Sequence, residues 1–189
     1  DHVGKAMIYG DTDSCYFSAY PVLKDEIAAG KIPWTKDNVI TLYDQVCEQA
    51  NTTFPDMMAK AFHCPKSRSD VIAAGREIVA ETGLFITKKR YAALVYDIEG
   101  FRTDGDGKLG KVKAMGLDLK RSDTPVFMQD FLKDLLDMVL QKKPEKELLD
   151  AISEFRKLFK DRPGFEKGSP KRANKVGHYQ RLEEKQGKA

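Results

Sequence analysis

Between Val71 and Met115 the apolar residues arrive in short runs rich in β-branched and aromatic side chains, whereas on either side they recur every three or four positions. That change of period confines the fold to an α+β arrangement, with one antiparallel sheet bracketed by helices. Val71-Ile72-Ala73-Ala74, Ile78-Val79-Ala80, Leu84-Phe85-Ile86, Tyr91 to Tyr96 and Lys111 to Met115 read as its strands, with Gly83, Gly100 and Asp104-Gly105-Asp106-Gly107 as punctuation. The last of these is read as a loop, because Asp-Gly pairs meet turn requirements without any metal.

Before the sheet, Val39, Tyr43, Val46, Ala50 and Phe54 mark one face of a long helix that Thr35 to Asp37 can cap. Pro55 is expected to kink or divide it before Met57, Met58 and Phe62. After the sheet, Ser122-Asp123-Thr124-Pro125 reads as a helix start, followed by a Phe127, Phe131, Leu135, Val139 stripe. A second helix follows Pro144 with Leu148, Ile152, Phe155 and Phe159, and Pro163-Gly164 stops it. The change from sheet to helices near Gly116 to Thr124 sets an expected boundary, with domains at 1–118 and 119–189.

Composition narrows the class. With 32% charged residues and no apolar run long enough to cross a bilayer, the chain reads as soluble and intracellular. Its three cysteines, Cys15, Cys47 and Cys64, form no Cys-x-x-Cys pair, so they read as reduced packing thiols. Net charge is only +3, but the cations cluster in Lys88-Lys89-Arg90 and again from Lys167 onward. Because the chain opens at Asp1 and stops in a charged run, it is expected to be an excerpt of a longer polypeptide.

Chemistry concentrates near the start. Tyr9-Gly10-Asp11-Thr12-Asp13-Ser14 lies between the apolar runs Ala6-Met7-Ile8 and Cys15-Tyr16-Phe17, the pattern of a hairpin with two carboxylates at its tip. Hard divalent cations bind such oxygens, and Mg2+ is held by one or two carboxylates together with substrate phosphates. A metal-free Asp-x-Asp turn fits the same residues.

Taken with the rest of the chain, Tyr9 to Ser14 resembles the third polymerase motif of family B DNA polymerases, and Lys88-Lys89-Arg90-Tyr91 resembles the Lys-Lys-x-Tyr element downstream of it. The stretch from Gly116 to Pro125 is similar to the palm-to-thumb junction of tailed-phage, coliphage-like members, and Arg172 to Gly177 resembles early thumb sequence. The resemblance implies the C-terminal part of a palm (1–118) and the start of a helical thumb (119–189). It implies DNA-directed nucleotidyl transfer, with Asp13 binding Mg2+, Asp11, Lys89 and Asp97 supporting the metal site, and Tyr9, Gly10, Thr12 and Ser14 shaping the motif. Lys88, Lys89, Arg90 and Tyr91, with Lys120, Arg121, Lys171, Arg172 and Lys175, are expected to contact DNA.

The implied partners are primer-template DNA, a deoxynucleoside triphosphate, the remaining polymerase parts and a sliding clamp reached through a C-terminus beyond this chain. The implied location is the cytoplasm of an infected bacterial host. The family's first motif, its fingers motif and an exonuclease carboxylate cluster do not occur here, so the two-metal site is expected to be completed from outside the chain, which is then inactive alone, as one subunit of a split polymerase or an excerpt of a longer one. A non-enzymatic nucleic-acid-binding module and an inactive remnant are the alternatives.

Overall fold

The computed structural model describes residues 3–168 and 180–181. It is an α+β chain dividing into two compact units, Asp1–Ala114 and Met115–Ala189.

The first unit opens with a single helical turn, α1 (Val3–Ala6), then β1 (Met7–Gly10) and β2 (Cys15–Phe17), which pair antiparallel. Helix α2 (Tyr20–Ala28) follows, with Pro21 in its first turn, where a missing amide costs nothing. Its start at Ala19 has no side-chain cap.

Helix α3 (Lys36–Phe62) begins as expected, with Thr35 Oγ1 accepting the Asn38 amide at 3.3 Å. Contrary to expectation Pro55 does not divide it. The helix continues through a position where one backbone hydrogen bond is forfeited and closes at His63, which is left-handed (φ 50°).

The sheet differs from expectation at its entrance. Lys66–Val71 is a 3-10 turn, and Ile72 to Ala74 are not a strand. A side chain takes the place of a neighbouring strand there: Asn51 Oδ1 accepts the Ala74 amide at 2.6 Å and Asn51 Nδ2 donates to the Ala74 carbonyl at 3.0 Å. The two short strands expected at Ile78 and Leu84 are one, β3 (Ile78–Thr87), running through Gly83. Strand β4 (Arg90–Ile98) pairs antiparallel with β3 and with the short β5 (Phe101–Arg102), and β6 (Lys111–Met115) also pairs with it. Flanked in this way, β4 is buried continuously from Tyr91 to Asp97.

Val39 on α3 packs against Val79 and Tyr96, with Trp34, Ile40 and Tyr43 around them. Polar groups lock the same region. Asp104, expected to be a plain turn residue, has a nearly buried side chain that holds Arg102 through two bonds of 2.8 Å and Lys36 at 3.0 Å. Gly110 (φ +146°) passes so close to β4 that a Cβ there would lie 2.5 Å from the Val95 carbonyl oxygen.

The second unit carries a 3-10 turn (Asp118–Lys120) and helices α4 (Val126–Leu140), α5 (Glu145–Asp161) and α6 (Gly164–Lys167). Pro125 and Pro144 occupy the N-cap positions of α4 and α5, one place earlier than the first-turn position expected for Pro125. Phe131 and Phe155 stack 3.8 Å apart and nearly parallel, with Phe127 and Phe159 completing the contact between the two helices. Gln129 Nε2 donates to the carbonyls of Thr124 and Arg121, at 2.8 and 3.0 Å, holding the entry of α4.

Candidate active site

The carboxylate tip is a tight turn. The Asp11 amide donates to the Ser14 carbonyl at 2.9 Å, closing the chain between β1 and β2. Asp11 Oδ1 accepts the Thr12 amide at 2.9 Å and the Thr12 hydroxyl at 3.3 Å, so Thr12 is used to fix the first carboxylate. Lys88 Nζ lies 3.9 Å from the same oxygen. The Thr12 amide, with Lys89 and Lys88 beside it, lowers the Asp11 pKa below the usual carboxylate value. Asp13 is exposed at the tip. The two carboxylates thus have different duties, Asp11 being engaged by the turn and the basic residues while Asp13 faces no such commitment in the turn's closing bonds.

What holds this tip in place is aromatic. Tyr9 and Tyr16 are partners across the β1–β2 ladder, and Phe85 and Tyr91 are partners across β3–β4. The two pairs pack against each other, with Tyr9 stacked on Phe85 and the other contacts between the pairs tilted, and all six combinations of the four rings have centroids between 5.3 and 5.9 Å apart. Gly83 leaves the room this requires, because a Cβ there would sit 2.7 Å from the Phe85 ring. Two hydroxyl contacts add direction: the Lys89 amide donates to Tyr9 Oη at 2.9 Å, and Tyr16 Oη donates to Tyr91 Oη at 3.0 Å. On its other side the hairpin meets α3, with Phe17 edge-on to Tyr43 and the Ala19 amide donating to Tyr43 Oη at 3.2 Å. The two motifs are therefore in direct contact, Tyr9 with Lys89, 80 residues apart in the sequence.

The expected basic and acidic residues fall on several elements. Lys88 and Lys89 form the turn between β3 and β4, with Lys89 left-handed (φ 61°), and Arg90 begins β4. All three are exposed, and the Lys88 side chain is 73% accessible. Tyr91, expected at a DNA surface, is only 6% exposed, because its ring belongs to the aromatic cluster and its hydroxyl receives Tyr16.

Asp97 lies seven residues beyond Arg90 along β4, about 20 Å at the rise of an extended strand. It is 1% exposed there, accepts Arg76 Nη1 and the Gly100 amide, and anchors the β4–β5 turn. Burial and charge pairing explain its presence in the sheet, where it forms a buried ion pair with Arg76. Arg121 grips Asp123 with a two-bond fork of 2.9 and 2.7 Å. Lys171, Arg172 and Lys175, and the side chain of Lys120, lie outside the described residues.

The site residues that sequence reasoning missed are Tyr16 and Phe85. Each is the cross-strand partner of a motif residue, a relation set by register that no local sequence pattern carries.

Oxygen donors of this kind fit a hard cation, and two carboxylates are as many as Mg2+ commonly takes from a protein. Among the described residues no group of three or more His, Cys, Asp or Glu side chains is arranged to hold a metal. No helix among the described residues is long and apolar enough to cross a membrane.

An antiparallel sheet with a carboxylate hairpin docked on a basic turn is the setting in which the comparisons fall. The model of DNA polymerase family B matches residues 57–171, a span that includes Lys88 to Tyr91 and lies downstream of Asp11 and Asp13. The chain belongs to DNA polymerase family B. It is similar to the DNA-directed DNA polymerase of Escherichia phage RB69, at 29% identity over 143 residues, covering 71% of this chain and 15% of that protein. It is also similar to DNA polymerase 037L of Invertebrate iridescent virus 6, at 26% identity over 153 residues, covering 80% of this chain and 11% of that protein. The chain thus spans less than a sixth of the length of either relative.

Proposed function

We propose that this chain supplies the carboxylate hairpin and the basic turn of a polymerase palm, followed by the start of a thumb, and acts in DNA-directed nucleotidyl transfer. Primer-template DNA and a deoxynucleoside triphosphate are the substrates. The observation that carries the reading is the contact between the two motifs, with Lys88 Nζ 3.9 Å from Asp11 and the Lys89 amide on Tyr9. Both contacts join the basic turn to the carboxylate motif, one through Asp11 and one through Tyr9.

In this reading Asp13 ligates Mg2+ from the exposed tip, and Asp11, held by Thr12 and Lys88, fixes the geometry of the turn and the local charge. Bound Mg2+ would lower the pKa of the primer hydroxyl and steady the triphosphate. Lys88, Lys89 and Arg90 neutralise backbone phosphates of the duplex, positioning it without reading its sequence. The remaining metal ligand and the nucleotide-gripping fingers come from polymerase parts outside this sequence, which makes the chain inactive alone. The phage relative and the Gly116 to Pro125 resemblance support a tailed-phage origin and a bacterial host cytoplasm.

The test is Mg2+-dependent primer extension by this chain mixed with a fragment bearing the first and fingers motifs, beside each part alone and an Asp13→Ala control. Extension only in the wild-type mixture supports the proposal. Silence in a mixture shown to associate and to bind primer-template would favour a nucleic-acid-binding module without catalysis.

A further inference from the structure

The ring packing alone would keep the two hairpins in contact, but apolar contact is non-directional and leaves them free to slide. Direction comes from the two hydroxyls. Tyr9 and Tyr16 are cross-strand partners, and both contact the same four-residue element, Tyr9 at the Lys89 amide and Tyr16 at the Tyr91 hydroxyl. Lys89 adopts a left-handed backbone (φ 61°) that residues with a Cβ seldom occupy, and this conformation points its amide to Tyr9. Burial and the Tyr91 contact raise the Tyr16 pKa well beyond the ordinary tyrosine range.

We propose that Tyr9 and Tyr16 are positioning residues: their hydroxyls latch the carboxylate hairpin to the basic turn, so that Lys88 and Lys89 stay at fixed reach from a cation held by Asp13. This rests on the metal-binding reading above, and it assigns the latch to side chains given no metal- or phosphate-binding role in that reading. Phenylalanine substitutions test it, since they remove each hydroxyl and keep its ring.

The experiment uses the 15N-labelled 189-residue chain as wild type, Tyr9→Phe and Tyr9→Phe/Tyr16→Phe, with Mn2+ as a paramagnetic probe. Two quantities are read: hydrogen exchange of the Lys89 amide, and Mn2+ broadening of the Lys88 and Lys89 amides relative to Thr12. Tyr9→Phe is expected to speed Lys89 exchange about tenfold, the release of one hydrogen bond, while amides in the middle of β4 keep their protection. The relative broadening at Lys88 and Lys89 is expected to fall about twofold in the double variant as the turn drifts from the hairpin, a change that reduced fold stability alone would not produce. Unchanged exchange and an unchanged broadening ratio in both variants would overturn the latch. If Mn2+ broadens nothing near Thr12 in the wild type, it is the metal reading that fails, and Lys89 exchange alone then decides for or against the latch.

Discussion

Arg76 offers the sharpest test of how the sheet beneath the site is held. Its side chain is 8% exposed and bonds to Asp97, whose own side chain is 2% exposed, and its Nε donates to Asp44 at 2.5 Å. In Arg76→Met the Asp97 carboxylate keeps only the Gly100 amide, at 3.0 Å, and loses its countercharge in a buried setting. Breaking a buried pair from one side costs about 3–5 kcal/mol. Asp44 adds little to this, because its side chain is 47% exposed and water can replace the partner.

The expected melting temperature falls by about 10 °C or more, as followed by circular dichroism with urea titration for the free energy. Neutralising the stranded charge should reverse most of the loss, so Arg76→Met/Asp97→Asn is expected to be more stable than Arg76→Met, with a coupling of about 2 kcal/mol. A single variant within about 0.5 kcal/mol of wild type, or a double variant no better than the single, would refute the assignment of Asp97 to a buried pair.

Three further outcomes follow from the same geometry. Alanine at Lys88 or Lys89 is expected to weaken binding of primer-template duplex and to reduce the slope of log K against log salt by about 0.9 for each phosphate no longer neutralised, read by fluorescence anisotropy across a salt series. Gly110→Ala is expected to destabilise by about 2 kcal/mol or more in urea unfolding, since it combines a positive φ with a clash against the Val95 carbonyl. Asp104 has its pKa lowered by the Arg102 fork and by Lys36. A depressed folded-state pKa contributes stability that is present above the unfolded value of about 3.9 and is lost as pH falls through the folded value. Acid unfolding should therefore steepen below about pH 4, and Asp104→Asn should flatten that part of the profile.

The elements legible in the sequence were those whose signals are local. Helices α4 and α5 announce themselves through Pro125, Pro144 and a phenylalanine stripe, and the structure stacks those same rings. Thr35 capped α3 where its side chain predicted. Helix α2 was not legible because nothing caps it at Ala19 and Pro21 resembles a loop signal until the chain turns helical around it. Ile72 to Ala74 had strand composition, but strand formation requires a neighbour, and the Asn51 amide occupied the place. Gly83 looked like punctuation, yet its missing Cβ makes room for the Phe85 ring within a continuous strand.

The candidate site was legible as two separate motifs. The resemblance put Lys89 beside the metal site, but the aromatic packing that joins the motifs was not legible, because it depends on cross-strand register: only the pairing of Tyr9 with Tyr16, and of Phe85 with Tyr91, brings the four rings together. The same long-range constraint turned Tyr91 inward and left Lys88, Lys89 and Arg90 as the exposed basic element.

The central claim is that Asp13 ligates the catalytic cation, and a ligand swap reads it most directly. Extension by the reconstituted mixture is measured for wild type and Asp13→Cys in Mg2+ and then with Mn2+ or Cd2+, the native Cys15, Cys47 and Cys64 being common to both. A thiolate is a poor ligand for Mg2+ and a good one for softer ions, so the variant is expected to lose about a hundredfold or more in Mg2+ and to recover with the softer metal, with no such gain for wild type. Wild-type extension by Asp13→Cys in Mg2+ would contradict the claim and return Asp13 to the role of a turn residue.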